Sequence, residues 1–472
     1  MTTRASSRIA ATLAAVLLLS HCAQAPLGVD REVVPPPGPR EIELGAQAHD
    51  EVLKAYARLE HAALQAYVDA LGQRLARQSR RAGVAWQFTL LDSADANAFS
   101  LPDGRVYVSR GILPYLDSEA ELAAVIAHEI GHVSARHGMD LAAAPVAAGL
   151  GSVLAPETGA APDAPLLGAL AAARVAGYGR ENEREANRLG AAYLEAAGYD
   201  PRAMNDAAAR LRALAAAQGS VRGLSPGAYH ALADAPPGDA AQQRLRGLAE
   251  PAAAHAERDA YLRRLDGLAI GDSAAQGVLR DNRLLHERLG LTLQFPPGWL
   301  VRNRPDRVVA TNSAGDALLE LQAGPRRGTP LETLQKGVGL DPGARYDSGR
   351  LGGQPAAFAA GAQAGKPVVV AAVVIGGAQY LIAGMTRDAA AYERERSALR
   401  AAINSFRAIT PAEKLAARPY TLRLATARPG QTFGALARQS RLGADGETLL
   451  RLMNGFPPDG EPEPGRLLKI VD

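Results

Sequence analysis

The stretch AAVIAHEIGHVSARHG, residues 123–138, constrains this chain more than any other. Histidines four residues apart share one face of an α-helix, so His128 and His132 can present their imidazoles to a single ion. Glu129, next to the first histidine, projects toward the open side of such an ion without having to bind it. A zinc ion held this way lowers the pKa of its water to roughly 7, and a neighbouring carboxylate can take the proton as hydroxide attacks a carbonyl. The alternative is two solvent-facing histidines and a surface glutamate on an alanine-rich helix.

The flanking residues favour the helix. Ser118 and Glu121 fit a capping box, Leu122, Ile126, Ile130 and Val133 line one face, and Gly138 is the expected stop. On that continuous helix His137, five residues past His132, is turned away from it. It reads either as a supporting or substrate contact or, more simply, as a cation interacting with the helix C-terminal dipole. Two ligands do not complete a catalytic zinc site. A third is needed, with the fourth position left to water, and RENEREANRLGAAYLEAAG downstream offers Glu181, Glu183 and Glu185.

The chain has 472 residues, of which 47% are hydrophobic, so a multidomain protein with several cores is expected. A net charge of +3 without long basic runs argues against nucleic acid as a partner. The N-terminus, MTTRASSRIAATLAAVLLLSHCAQA (1–25), has two arginines, an apolar run and then small residues, the pattern of an export signal. Cys22 in LLSHC stands where bacterial lipoproteins carry their acylated cysteine; cleavage after Ala25 in A-Q-A is the alternative. As the single cysteine, it also excludes an intrachain disulfide. The expected location is the periplasm, with a lipid on Cys22 anchoring the chain to the outer membrane.

A proline-rich linker, 26–40, precedes a mainly helical domain at 41–265 with a small sheet. The apolar positions Leu53, Tyr56, Leu59, Leu64, Tyr67, Leu71 and Leu75 keep helical spacing. WQFTLLDS and GRVYVS are strand candidates, with SLPDG as turn chemistry between them. Segment 141–178, rich in Ala, Gly and Pro, reads equally as a flap over the site or as weak helices. Strands LGLTLQFPPGW, ALLELQA, PVVVAAVVIGG and AQYLIAGM, then a helix with Tyr392, Leu399, Ile403 and Phe406 on one side, define an α+β domain at 285–411. Residues 418–472 read strand, helix, helix, strand.

NAFSLPDGRVYVSRGILPYLDSEAELAAVIAHEIGHVSARHG resembles the catalytic core of the bacterial periplasmic members of metallopeptidase family 48, the group with HtpX, the CAAX prenyl proteases and the beta-barrel assembly-enhancing branch. The resemblance covers roughly residues 40–250. It implies a zincin fold, one zinc ion per chain, His128, His132 and Glu183 as ligands, and Glu129 as the catalytic base. Its downstream E-x-x-x-D motif ends here on Asn187, so a charged support for a ligand becomes a neutral amide. The histidine that such proteins often carry before the last helix of the domain is replaced by Ala235, with His230 as a candidate substitute. Asn97 and Ala98 are candidate contacts to a substrate backbone, and GRVYVS is a strand that an extended substrate could join.

Residues 418–472, with PGQTFGALARQS, LLRLMNG and PGRLLKIV, resemble a LysM module, which implies binding of peptidoglycan. The middle domain, with FPPGW and INSFRAIT, resembles a PsbP/Mog-type α/β sandwich and shows no catalytic constellation. The expectation is an exported zinc endopeptidase cleaving misfolded or stalled envelope proteins. A peptidoglycan-binding lipoprotein with a weak or silent peptidase domain is the alternative.

Overall fold

The computed structural model describes residues 33–141, 179–217, 252–304, 306–456 and 459–472. The export segment with Cys22, most of segment 141–178, and His230 with Ala235 lie outside the described residues. Among the described residues, no helix is long and apolar enough to cross a membrane.

Helix α1 (Pro39–Ala55) starts at Gly38, whose amide donates to Glu41 Oε2 at 2.9 Å. The helical spacing of 51–79 predicts one continuous helix, but the chain turns extended at Tyr56 and resumes only at α2 (Ala62–Ala76). The break has a cause: the Leu59 amide donates to the Leu90 carbonyl at 2.9 Å, and Asp92 N–H to Ala57 O at 2.8 Å. Those backbone groups pair with the edge of strand β1 (Gln87–Leu91) instead of with a helix. Strand β2 (Ala98–Ser100), which the sequence reading does not single out, runs into the SLPDG turn and shares Ser100 with it. It pairs antiparallel with β3 (Arg105–Ser109), which pairs parallel with β1 on its other side.

The sheet order β1-β3-β2 corrects one expectation. GRVYVS is the central strand, with both edges occupied, so no substrate can join it. Among the described residues the unpaired edge belongs to β2.

Helix α3 (Glu119–Ser134) carries the HEIGH motif and is buried along nearly its whole length. Ser118 Oγ accepts from the Glu121 amide at 3.1 Å, which is half of the expected capping box. The Glu121 carboxylate reaches one residue further back, to the Asp117 amide at 2.9 Å. The helix stops at Ser134 rather than at Gly138. Arg136 takes a left-handed conformation (φ 63°), and a separate short helix, α4 (His137–Leu141), begins beyond it.

Helix α5 (Arg180–Ala196) crosses α3 at close range, and two glycines set the distance. A Cβ on Gly131 would stand 2.7 Å from the Ala186 carbonyl oxygen, and one on Gly190 would stand 3.1 Å from the backbone of Ala127. Fully buried Arg81 clamps the end of α3, donating to the Val133 carbonyl at 2.9 Å while pairing with Glu41 of α1 at 3.1 Å. Helices α6 (Ala203–Ala217) and α7 (Ala252–Leu265) complete the helical region, and short strand β4 (Ala269–Ile270) follows.

Strands β5 (Val278–Arg280), β6 (Arg283–His286) and β7 (Leu291–Gln294) form an antiparallel sheet that begins before residue 285. A larger antiparallel sheet comprises β8 (Leu300–Asn303), β9 (Arg307–Thr311), β10 (Ala317–Ala323), β11 (Arg345–Leu351), β12 (Gln354–Gln363), β13 (Lys366–Ile375) and β14 (Ala378–Thr386). Its order is β11-β12-β13-β14-β10-β9-β8. Helix α8 (Pro330–Gly337) seals one apolar face through Leu334, and α9 (Ala389–Asn404) seals the other through Leu399 and Ile403. Strand β15 (Arg407–Ala408) joins β7, and α10 (Pro411–Ala416) leads out.

The C-terminal segment folds as β16 (Tyr420–Thr426), α11 (Phe433–Gln439), α12 (Gly446–Asn454) and β17 (Leu467–Val471). The two strands pair antiparallel, and β4 adds to the free side of β16. Its apolar side chains, among them Leu422, Phe433, Leu450, Met453 and Leu468, share one continuous core with the helical region.

Candidate metal centre

The crossing of α3 and α5 brings three potential ligands together. His128 and His132 project from one face of α3 with their Nε2 atoms 2.8 Å apart. Glu183, in the first turn of α5, places Oε2 at 3.3 Å from His128 Nε2 and Oε1 at 3.8 Å from His132 Nε2. All three are buried, with no more than 2% exposure. Among the described residues, the Glu183 oxygens have no hydrogen-bond partner beyond the histidine nitrogens they face. A buried carboxylate is costly without compensation, and ligand atoms about 2.0–2.2 Å from a tetrahedral ion stand roughly 3.3 Å apart. The three observed separations, 2.8, 3.3 and 3.8 Å, bracket that spacing. The residues present therefore fit a divalent ion, and among the described residues this is the one such cluster of His, Cys, Asp and Glu.

Each histidine is held from behind. His128 Nδ1 lies 2.9 Å from Asn187 Oδ1, one turn along α5 from Glu183. His132 Nδ1 lies 2.9 Å from His137 Nδ1. The break at Arg136 swings His137 back toward His132, so the expected orientation, turned away as a cation at the helix end, is corrected. His137 is buried, with Nε2 3.4 Å from Glu185 Oε2.

Burial lowers the pKa of His132 well below the usual histidine range, and the neighbouring His128 and His137 push the same way. His128 goes up: burial opposes the charge, but Glu183, Glu129 and Asn187 outweigh it. Metal coordination uses the neutral imidazole, which burial already favours at His132.

Glu129 is 2% exposed, and its Oε2 accepts from Ser100 Oγ at 3.0 Å. Ser100 ends strand β2, so this bond ties the carboxylate to the strand with the open edge. Sequence reasoning missed Ser100, because nothing in NAFSLPDG shows that β2 will lie along α3. Asn97 sits at the start of β2 with its backbone amide and carbonyl both bonded to Ser109, at 2.9 Å each.

A helix carrying two histidines with a buried glutamate between them, and a second carboxylate from a crossing helix, is the arrangement of a gluzincin-type metallopeptidase. Residues 62–255 match the model of peptidase family M48. The beta-barrel assembly-enhancing protease of Escherichia coli is 35% identical over 154 residues, 30% of this chain and 31% of that protein. The mitochondrial metalloendopeptidase OMA1 of Arabidopsis thaliana is 34% identical over 135 residues, 27% of this chain and 26% of the relative. The chain thus spans about a third or less of the length of these relatives. A solved cyanobacterial PsbP from Synechocystis aligns with 29% of this chain and 98% of its own, at 13% identity and a TM-score of 0.22, which carries no argument about the middle domain.

Proposed function

We propose that the chain is an exported zinc endopeptidase that cleaves unfolded or misassembled envelope proteins in the periplasm. One observation carries this reading: the buried Glu183 carboxylate faces His128 and His132 and has no other partner among the described residues, with Glu129 beside them. Zinc bound there would polarise the peptide carbonyl and make a water acidic enough to lose its proton near neutral pH. Glu129 takes the proton from the attacking water and returns it to the departing amide nitrogen. The hydroxyl of Ser100 fixes the rotation of the Glu129 carboxylate. An extended substrate adding to the open edge of β2 would run past that carboxylate, held by backbone hydrogen bonds that select for unfolded chains over particular sequences.

Anchoring through a lipid on Cys22 and recruitment to peptidoglycan through residues 418–472 belong to the same proposal. The strand-helix-helix-strand order of the C-terminal segment supports the second of these. The test is casein degradation by the zinc-loaded mature chain beside Glu129→Gln. Loss of cleavage by at least 10³-fold in the variant is expected, the upper part of the range general base catalysis covers. Intact casein with both proteins would favour a peptidoglycan-binding lipoprotein with a silent peptidase domain.

A further inference from the structure

We propose that His137 and Glu185 act as a positioning pair that holds His132 for the metal; this rests on the zinc reading above. The left-handed turn at Arg136 ends α3 and starts α4 at His137. The next residue, Gly138, packs tightly on Pro102, where a Cβ would stand 3.1 Å from Cγ. The result is a His137 ring meeting His132 edge to face, at a centroid distance of 5.1 Å and an interplanar angle of 72°.

The proton inventory gives this contact a direction. A His132 that offers Nε2 to a metal carries its proton on Nδ1, and at 2.9 Å that N–H donates to His137 Nδ1. His137 must then carry its own proton on Nε2, the atom that faces Glu185 Oε2 at 3.4 Å. Each link fixes the tautomer of the one before it, and the chain ends on a carboxylate. The support behind His128 differs, because it ends on the neutral amide of Asn187, whose Nδ2 has no partner among the described residues. The negative charge that backs the metal ligands therefore enters through Glu185 and His137. A glutamate two residues past the third ligand supplies what the amide at 187 does not.

The experiment measures zinc affinity by competition with a chromophoric chelator, and the visible spectrum of the cobalt-substituted protein, for the full mature chain and three variants. His137→Ala is expected to weaken zinc binding by about 10–100-fold and to change the cobalt spectrum. His137→Asn, whose Oδ1 can stand where Nδ1 stood, is expected to recover most of the affinity. Glu185→Gln, a change at a partly exposed side chain that leaves folding intact, is expected to weaken binding by up to about 10-fold. Wild-type affinity and spectrum in both His137→Ala and Glu185→Gln would overturn the positioning role while leaving the zinc reading in place. A wild-type chain that binds no zinc would overturn both.

Discussion

Burial acts on two adjacent imidazoles in α3 with opposite net results, because their neighbours differ. His132 has other histidines beside it and goes down; His128 has two carboxylates and goes up. The same competition governs His286 in the middle domain, buried against Gly277 and accepting from the Leu289 amide. Burial, helped by Arg288, lowers its pKa to about 4. The unfolded chain then binds a proton between about pH 4 and 6.5 that the folded one refuses, so stability rises with pH across this window and is lost as pH falls. Allowing for partial screening, this amounts to roughly 2 kcal/mol. Urea unfolding followed at Trp299 in a Trp86→Phe background should show that loss on going from pH 7 to pH 4.5, and His286→Gln should flatten it. An unchanged pH dependence in the variant would contradict the assignment.

At the scale of elements, the sequence was informative where periodicity or a motif stood alone. ALLELQA coincides with β10, and the helix with Tyr392, Leu399 and Ile403 is α9. It was silent where tertiary contacts override local preference. The apolar spacing through Tyr56 and Leu59 continues across a break made by hydrogen bonds to β1 and to Asp92. Arg136 is not a glycine, so the left-handed turn that redirects His137 has no signature. At the site, His128, Glu129 and His132 could be read from their spacing, whereas choosing Glu183 from three glutamates needed the family resemblance. The glycines that let α3 and α5 approach, Gly131 and Gly190, look unremarkable in the sequence. Only the crossing shows their purpose.

For the whole molecule, the C-terminal segment is packed into the helical region as a part of it. Lys469, fully buried on β17, donates to the Leu116 carbonyl at 2.7 Å and lies 3.2 Å from Asp117. Arg258 grips the same aspartate at 2.7 and 3.0 Å, and Arg210 bridges it to Glu121. Burial opposes the Asp117 charge, yet Lys469, Arg210 and Arg258 hold its carboxyl well below the usual range; burial also pushes the Lys469 ammonium down to about 8. This cluster sits at the start of α3, the helix that carries the HEIGH motif. Lys469→Met leaves the Leu116 carbonyl unpaired and Asp117 with fewer partners, which should cost about 2–3 kcal/mol. Calorimetry should show the melting transition of the peptidase core lowered by roughly 5–10 °C. An unchanged transition would mean that the segment is independent. Deleting residues 418–472 would strip apolar side chains from the shared core, so a point variant separates recruitment from folding more cleanly.

The central claim is that His128, His132 and Glu183 hold one zinc ion while Glu129 stands beside it as the base. Zinc per chain after exhaustive dialysis, measured for the wild type, Glu183→Ala and Glu129→Gln, tests it most directly. The expected values are one ion for the wild type and for Glu129→Gln, and a substoichiometric amount for Glu183→Ala. A wild type without zinc, a Glu183→Ala chain that keeps its ion, or a Glu129→Gln chain that loses it would contradict the account.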